Sequence, residues 1–294
     1  DFKRYDFIFI LTLLALLFIN IFFYRISEHG TDRSAQILIF ILFIEILSLL
    51  RGNIIIKNFF SKIFILLGII ISLKAFYVLY LILFIPIFYF ISKKKILIEI
   101  KKFFTNFYFY LFCLIGFSLI LVNIFNSGCV LYPVSLTCFS GFDWSLHNEA
   151  EKMNNWYEQW SKAGATPNFR VDDPENYIKG FNWVSNWIDL YFFNKVSDFL
   201  AGLIFLIIFF FFFFQKKKNS ITYNRNFWPI YFILLILFFE WFFFHPALRY
   251  GGYHLIALLL FIPFSIYFEN LIEISNKNVK KFNLFIILIF LIFL

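Results

Sequence analysis

The chain has little charge, little glycine or proline and very little cysteine. Only 15% of its 294 residues are charged, whereas 62% are hydrophobic and 25% are aromatic. Soluble domains usually contain about 25% charged residues, so this composition excludes a water-soluble globule. Its apolar content excludes a disordered chain, and 11 glycines and 7 prolines exclude collagen-like and linker-like chains. An α-helical protein that crosses a membrane several times remains.

Motifs of soluble enzymes are missing as well. The sequence has no glycine-rich phosphate loop, no dinucleotide-binding fingerprint and no metal-protease pair. Basic residues do not interleave with aromatic residues as they do on nucleic-acid-binding surfaces, so we expect no nucleic-acid partner. An enzyme built from this chain would therefore take its activated substrate from the membrane.

Apolar runs that suit helices across a hydrocarbon core of ~30 Å recur along the chain. They lack the alternation of barrel strands, so the predicted fold class is all-α, a polytopic transmembrane helical bundle of about nine spans. The predicted spans are 7–24, 36–50, 63–73, 75–91, 103–124, 197–214, 228–244, 252–268 and 282–294. Because the chain has no initiating Met and stops inside an apolar run, we expect it to be a fragment of a longer protein.

Lys74 divides the apolar run 63–91. One continuous helix would place its ammonium group near the bilayer centre, at a cost of several kcal/mol. The sequence therefore predicts a short-helix hairpin of two half-length helices, with Lys74 at the outer tip.

Basic residues are concentrated on one predicted face. Segments 1–6, 51–62, 92–102, 215–227 and 269–281 hold 17 of the 26 lysines and arginines. Since cytoplasmic loops are rich in Lys and Arg, we expect a bacterial inner (cell) membrane protein whose fragment begins in the cytoplasm. Its predicted parts are N-terminal helices in 1–124 with a first outer loop at 25–35, a periplasmic loop domain in 125–196, and C-terminal helices in 197–294.

Two of the three cysteines lie in the periplasmic loop domain. Cys129 and Cys138 close a ten-residue loop, and an oxidising compartment favours a disulfide between them. The alternative is two free thiols near the membrane interface. Cys113 falls within a predicted span, where we expect a small buried hydrophobic side chain.

The loop domain also predicts two helices. One covers 146–162 and carries Trp156 and Trp160 on one face, and the second begins with Asp173 as N-cap and Pro174 at its first position. The second helix places Trp183 and Trp187 beside an apolar stripe of Tyr177, Phe181, Val184 and Ile188. Such aromatic faces either lie in the membrane interface or line a groove for a sugar or an acceptor.

The first outer loop gathers ionisable residues between two spans. Glu28, His29, Asp32 and Arg33 lie within six positions, and a partly desolvated carboxylate there could act as a general base or bind a metal. The alternative is a solvated turn in which Thr31 or Asp32 caps the following span.

A second polar segment spans 245–254 and contains His245, Arg249, Tyr250 and His254. Arg249 suits bidentate contact with a phosphate, and Gly251 and Gly252 either let a ligand approach the backbone or relieve a tight helix start. The alternative is that Arg249 pairs with a structural carboxylate such as Glu240. Glu45 and Glu240 lie within spans, where they serve function or hold helices together.

Four segments then carry a resemblance to a known class of enzymes. They are YRISEHGTDRS at 24–34, SLKAFY at 72–77, SGCVLYP with TCF at 127–133 and 137–139, and HPALRYGGY at 245–253. Together they resemble an uncharacterised family of bacterial polytopic membrane proteins that is similar to the GT-C class of integral-membrane glycosyltransferases. That resemblance implies a polyprenyl-phosphate-linked sugar donor, an acidic base in the first outer loop and often a divalent metal.

The expected function is therefore sugar transfer at the periplasmic face, in the assembly of a cell-surface glycan or glycolipid. Asp32 is the candidate base, with Glu28 or His29 as its partner or metal ligand. The candidate substrate-binding residues are Lys74, Arg249, His245, Tyr250 and Arg33. Expected partners are the lipid-linked donor and membrane lipids. The alternatives are a transporter or flippase that uses Glu45 and Glu240, and a structural subunit of a membrane complex.

Overall fold

The computed structural model describes most of the chain and shows an all-helical protein. The described residues are 12, 14–15, 18, 30–50, 56–92, 96–166, 171–213, 227–271, 277, 280–281, 284 and 287. Within these ranges no β-strand occurs, and an isolated bridge joins Cys129 and Cys138. The predicted all-α class is confirmed.

The described ranges contain eleven α-helices whose first and last residues are both described. They are α1 (Thr31–Leu50), α2 (Ile56–Leu73), α3 (Phe84–Ser92), α4 (Ile96–Phe104), α5 (Phe107–Ser127), α6 (His147–Lys162), α7 (Pro174–Ile178), α8 (Val184–Trp187), α9 (Ser197–Phe213), α10 (Trp228–Phe244) and α11 (Gly252–Leu271). Short 3₁₀ helices cover Ala75–Leu83, Ser135–Thr137 and Leu248–Tyr250, and a π-helix covers Ile188–Val196.

Three helical stretches among the described residues are long and apolar enough to cross a membrane. They are Thr31–Leu50, Phe107–Ser127 and Val184–Phe209. Four shorter apolar helices are Asn58–Leu73, Ala75–Ile91, Trp228–Phe244 and Gly252–Tyr267. The number of nine spans is therefore not confirmed, and most of the predicted spans 7–24 and 282–294 lies outside the described residues.

The predicted break at Lys74 is present, but the two helices beside it are not half-length. α2 has 18 residues and ends at Leu73, and the backbone of Lys74 is extended before the 3₁₀ helix Ala75–Leu83 begins. That 3₁₀ helix runs directly into α3. The predicted span 63–73 is shorter than α2, because the helix starts at Ile56, seven residues before the apolar run begins. Those first residues include polar side chains such as Asn58 and Lys62.

Phenylalanine rings form much of the packing between the helices. Phe60, Phe64 and Phe103 are buried, and the ring of Phe64 lies 4.8 Å from that of Phe103 and 5.4 Å from that of Phe109. Contacts of this kind join α2 to α4 and α5, and edge-to-face pairs add to the energy of apolar burial.

Cys113 lies on α5 and is exposed, so the expectation of a buried side chain is wrong. None of the residues in the most apolar stretch of α5 is fully buried among the described residues. The helix is apolar on every side, and a sequence with no polar face gives no indication of which residues point inward.

The loop domain contains the predicted disulfide and the predicted α6. Cys129 is bonded to Cys138, and α6 ends at Lys162. The second helix starts as predicted, since the Asp173 carboxylate accepts a hydrogen bond of 3.2 Å from the backbone N–H of Asn176. It ends after five residues, because Lys179 is extended, so the predicted stripe is divided between α7 and later segments.

Candidate functional site

Asp32 is the centre of a cluster that joins three distant parts of the chain. Its Oδ1 lies 2.6 Å from the Lys74 Nζ, and its Oδ2 lies 3.0 Å from both the Nε and the Nη2 of Arg249. The Asp32 side chain is 10% exposed and that of Lys74 is 19% exposed, whereas that of Arg249 is 43% exposed. The three residues predicted to converge therefore do so in direct ion pairs.

Local structure explains why these side chains meet. Asp32 lies in the first turn of α1, where the helix dipole favours a negative charge. Lys74 lies in the break that follows α2, and Arg249 lies in the 3₁₀ helix between α10 and α11. Asp32 therefore lies at a helix start, but its buried carboxylate pairs with two cations and does not face solvent as in the alternative of a solvated turn. Arg249 pairs with a carboxylate, as its alternative proposed, and that carboxylate belongs to Asp32 and not to Glu240.

Several buried side chains hold the loop of Arg249 in place. The Gln36 amide donates a bond of 2.9 Å to the Arg249 carbonyl oxygen. Three aromatic side chains bond to consecutive residues of the same loop: Trp187 donates to Pro246 at 3.0 Å, Trp241 donates to Ala247 at 2.9 Å, and Tyr191 accepts from Leu248 at 2.8 Å. This framework fixes the backbone from which Arg249 projects.

Two glycines complete the loop. Gly251 has a φ of +129°, a conformation that L side chains rarely adopt. A Cβ at Gly252 would collide with the Trp241 ring and lie 3.0 Å from Leu248. Both glycines therefore serve the tight entry into α11, in agreement with one of the two roles suggested by the sequence.

Aromatic rings cover the cations on one side. The Lys74 ammonium lies 4.5 Å from the centre of the Tyr250 ring, and the Arg249 guanidinium lies 5.8 Å from that of Trp160. The ring of Trp160 lies 5.7 Å from that of Tyr250. Burial raises the pKa of Tyr250 to about 12, although the charge of Arg249 opposes this shift.

His245 is a neutral group at the edge of the cluster. Its ring lies 5.9 Å from that of Tyr250 and 6.0 Å from that of Phe76. Its Nδ1 is buried and has no hydrogen-bond partner among the described residues. Burial, with help from the charges of Lys162 and Lys74, lowers its pKa to about 4, so the imidazole is uncharged at neutral pH.

Burial also lowers the pKa of the Lys74 ammonium, and the nearby charge of Arg249 acts in the same direction. The Asp32 carboxylate opposes both effects through its charge and its hydrogen bond. Asp32 thus stabilises the protonated form of Lys74 in a poorly solvated position.

A buried polar chain beneath the site was not predicted. The Oε1 of Gln36 lies 3.4 Å from the Nδ1 of His254, and the Nε2 of His254 is hydrogen-bonded to the Tyr80 hydroxyl. His254 is completely buried. Gln36 could have been found from the sequence, since it is a polar residue at the start of an apolar span, but its partners depend on helix packing.

The other predicted residues lie elsewhere or outside the described ranges. Glu28 and His29 lie outside the described residues. Arg33 is buried with its guanidinium 5.3 Å from the Tyr253 ring centre. Glu45 accepts a 2.6 Å bond from Lys62, which joins α1 to α2.

The described residues do not fit a divalent metal. None of them form a group of three or more His, Cys, Asp or Glu side chains that could hold an ion. Both carboxylate oxygens of Asp32 are already paired with cationic nitrogens. The candidate metal ligands Glu28 and His29 lie outside the described residues.

The Trp faces of the loop domain are divided between two environments. Trp183 and Trp187 are buried, and both contact the Phe242 ring of α10. Trp156 is 45% exposed, and its ring is stacked on that of Trp160 beside Arg249. Of these four rings, Trp156 is therefore the exposed one near the cluster, and Trp160 is half-buried between Trp156 and Arg249.

The chain belongs to a family described as a domain of unknown function, DUF8201, whose model matches residues 2–257. No curated protein and no solved structure matches the chain. The matched range includes Asp32, Lys74 and Arg249, so the whole cluster belongs to the family domain.

Proposed function

We propose that this chain is a glycosyltransferase-like membrane enzyme. It transfers a sugar from a polyprenyl-phosphate-linked donor at the periplasmic face, in the assembly of a cell-surface glycan or glycolipid. The observation that supports this proposal is the ion-paired cluster of Asp32, Lys74 and Arg249 at the meeting point of three helix ends.

The cluster has the charges that a phosphate site requires. Lys74 and Arg249 share one carboxylate, so one positive charge is left uncompensated. Arg249 is the most exposed of the three side chains, and its planar guanidinium can bind two phosphate oxygens at once. Lys74 then supplies a second, more buried positive charge.

Binding of the donor phosphate would also prepare Asp32 for proton transfer. A phosphate that binds the Arg249 guanidinium would draw it away from the Oδ2 of Asp32, while the Lys74 ammonium stays paired with Oδ1. The acceptor hydroxyl then attacks the anomeric carbon and its proton passes to Oδ2. The bond between that carbon and the phosphate oxygen breaks, and its electron pair leaves with the phosphate, which the two cations stabilise.

A bacterial inner-membrane location with a cytoplasmic start and about nine spans belongs to the same proposal. α2 is roughly 27 Å long at 1.5 Å per residue. The 3₁₀ helix after Lys74 rises ~2 Å per residue, so segment 75–92 is roughly 31 Å long. Both lengths are close to a hydrocarbon core of ~30 Å, which supports crossing by helices that fall short in residue number.

The transporter alternative has less support. Glu45 is held by Lys62 at 2.6 Å, so a proton-coupled mechanism would have to break that pair at every cycle. The structural-subunit alternative gives no reason for a charged cluster with a buried carboxylate and a half-exposed Arg249 next to the exposed Trp156. The experiment that follows distinguishes these two alternatives from sugar transfer, since neither predicts a transferred sugar.

Sugar transfer from lipid-linked donors tests the proposal. The full chain is placed in lipid nanodiscs with polyprenyl-phosphate glucose, mannose and N-acetylglucosamine, each labelled in the sugar, and with a lipid extract of the native cells as acceptor. We expect transfer by the wild type from at least one donor, its loss in Asp32→Asn, and its retention in the surface variant Glu149→Gln.

Transfer that survives the combined change Asp32→Asn and Glu28→Gln would disprove the assigned base. Absence of transfer by the folded wild type from all three donors and from the lipid extract itself would contradict the proposed activity.

A further inference from the structure

The segment that follows α5 exposes an unusual number of apolar side chains. Within residues 128–146, Asp143 is the only charged residue. Leu136 is 96% exposed, and five other large apolar side chains are between 38% and 49% exposed: Val134, Phe139, Phe142, Trp144 and Leu146. We call residues 128–146 the apolar loop. Exposed apolar side chains at this density mark an interaction surface.

Hydrogen bonds fix the apolar loop against the end of α5. The Trp144 indole donates a bond of 3.1 Å to the Ile124 carbonyl oxygen. The amide of Leu146 donates to the Ser127 carbonyl oxygen at 2.9 Å. Because Ile124 lies about one turn before the helix ends at Ser127, the Trp144 ring lies beside the last turn of α5.

The loop is also organised internally before it meets any partner. The Cys129–Cys138 disulfide closes its first part. Inside this ring, the Thr137 hydroxyl donates to the Leu131 carbonyl oxygen at 2.9 Å and accepts from the Leu131 amide at 3.0 Å. The ring of Phe142 is stacked on that of Trp144 with centroids 4.6 Å apart. A preorganised surface loses little conformational freedom on binding.

The position of the loop identifies the partner. α5 is long and apolar enough to cross a membrane, and none of the residues in its most apolar stretch is fully buried among the described residues. In a membrane, the side of α5 that faces away from α2 would therefore contact lipid. The end of α5 therefore marks the boundary between hydrocarbon and water. Tryptophan beside that boundary, with an apolar ring and a bonded indole nitrogen, is typical of the membrane interface.

We infer that the apolar loop is a membrane-interface anchor, with the phospholipid surface around α5 as its partner. The proposed lipid contact includes α5, the Trp144 ring with the Phe142 ring stacked on it, and the exposed Leu136. Anchoring on this side would hold the start of α6 near the membrane, and α6 carries Trp160 of the candidate site. The inference rests on exposure and geometry and is independent of the proposed sugar transfer.

Quenching by brominated lipids tests this inference. The full chain is placed in nanodiscs of phosphatidylcholine brominated near the carbonyl end of its acyl chains. The fluorescence of Trp144 is obtained as the difference between the wild type and Trp144→Phe, with unbrominated lipid as reference. We expect this component to lose most of its intensity in the brominated lipid, because bromine quenches an indole only at close contact.

Trp156→Phe is the matched control. Trp156 is 45% exposed and Trp144 is 49% exposed, but Trp156 lies in α6 beyond the loop, so its component should keep its intensity. In the otherwise wild-type chain, Leu136→Trp should add a second quenched component at this highly exposed position. This variant tests the loop without replacement of Trp144.

The inference is overturned if the Trp144 and Leu136→Trp components are both unquenched. It is also overturned if brominated lipid quenches the Trp156 component to the same extent, since the loop would then have no special contact with lipid. Protection of Trp144 by a co-purifying protein, with no quenching by lipid, would assign the surface to a protein partner instead.

Discussion

The guanidinium of Arg249 binds the carboxylate of Asp32, 217 positions away in the sequence, through two nitrogens that both lie 3.0 Å from Oδ2. This contact brings the loop between α10 and α11 to the start of α1. Because Lys74 binds Oδ1, the single carboxylate of Asp32 pairs with two cations. Loss of that carboxylate should therefore affect both stability and ligand binding.

Asp32→Asn should destabilise the folded protein by ~3 kcal/mol, since removal of one partner from a buried ion pair leaves uncompensated charge behind. Here two neighbouring cations would be left without their carboxylate. The measurement is thermal unfolding in detergent micelles. Glu149→Gln is the matched control, because its pair with Lys152 is solvent-exposed and should have almost no effect on the melting temperature. Equal melting temperatures for the two variants would contradict a structural role of Asp32.

Gln36→Met should leave the Arg249 carbonyl oxygen and the His254 ring nitrogen without their present partner. Each unsatisfied buried polar group costs about 1–3 kcal/mol, so the melting temperature should fall clearly. Ser118→Ala is the control, since its hydroxyl bonds only within α5 and is exposed. A variant as stable as the wild type would show that the buried chain of Gln36, His254 and Tyr80 does not support the site.

Acid should destabilise the protein through His245. The unfolded chain takes up a proton at this residue near pH 6.5, whereas the folded protein does so only near pH 4. Between these values the unfolded state binds more protons, so stability falls as the pH is lowered and the loss is complete below about pH 4. The contribution is about 3 kcal/mol.

Unfolding of the wild type and of His245→Gln, measured across this pH range, checks the contribution. We expect a shallower pH dependence in the variant, because the other titrating groups are common to both chains. Parallel curves would contradict the neutral state of His245.

Removal of the disulfide should reduce stability. For a closed loop of ten residues, chain-entropy arguments give ~2.5–3 kcal/mol. The double variant Cys129→Ala and Cys138→Ala should therefore melt at a lower temperature than the wild type. Cys113→Ala should not, because Cys113 is an exposed free thiol. An unchanged melting temperature in the double variant would show that the loop bonds of Thr137 are sufficient.

The sequence predicted those parts of the site whose charge is costly in an apolar setting. Lys74 interrupts an apolar run, and Asp32 and Arg249 lie at the ends of such runs, so each could be placed at one end of the bundle. The cysteine spacing predicted the disulfide. Each of these inferences depends on neighbouring positions in the chain.

What could not be predicted depends on packing across the bundle. The choice of Asp32 over Glu240 as the partner of Arg249, and the contacts of Gln36 with His254, require the helices to be placed first. The exposure of Cys113 follows from the position of α5 at the edge of the described protein, and a uniformly apolar helix does not reveal that position. The early end of α7 does have a local signal, because Gly180 follows the C-cap Lys179 with a φ of +55°, and glycine in this conformation commonly ends a helix. The apolar stripe on both sides of Gly180 masked that signal.

Binding of a polyprenyl monophosphate tests the central claim most directly. The full chain in nanodiscs is titrated with polyprenyl monophosphate, and bound lipid is counted by native mass spectrometry for the wild type, Lys74→Met, Arg249→Met and the surface control Lys152→Met. We predict saturable binding by the wild type and the control, and affinity at least ~10-fold weaker in the Lys74 and Arg249 variants, in line with a loss of about 1.4 kcal/mol or more per charged contact. Equal binding by all four proteins would contradict the assignment of this cluster as the donor phosphate site.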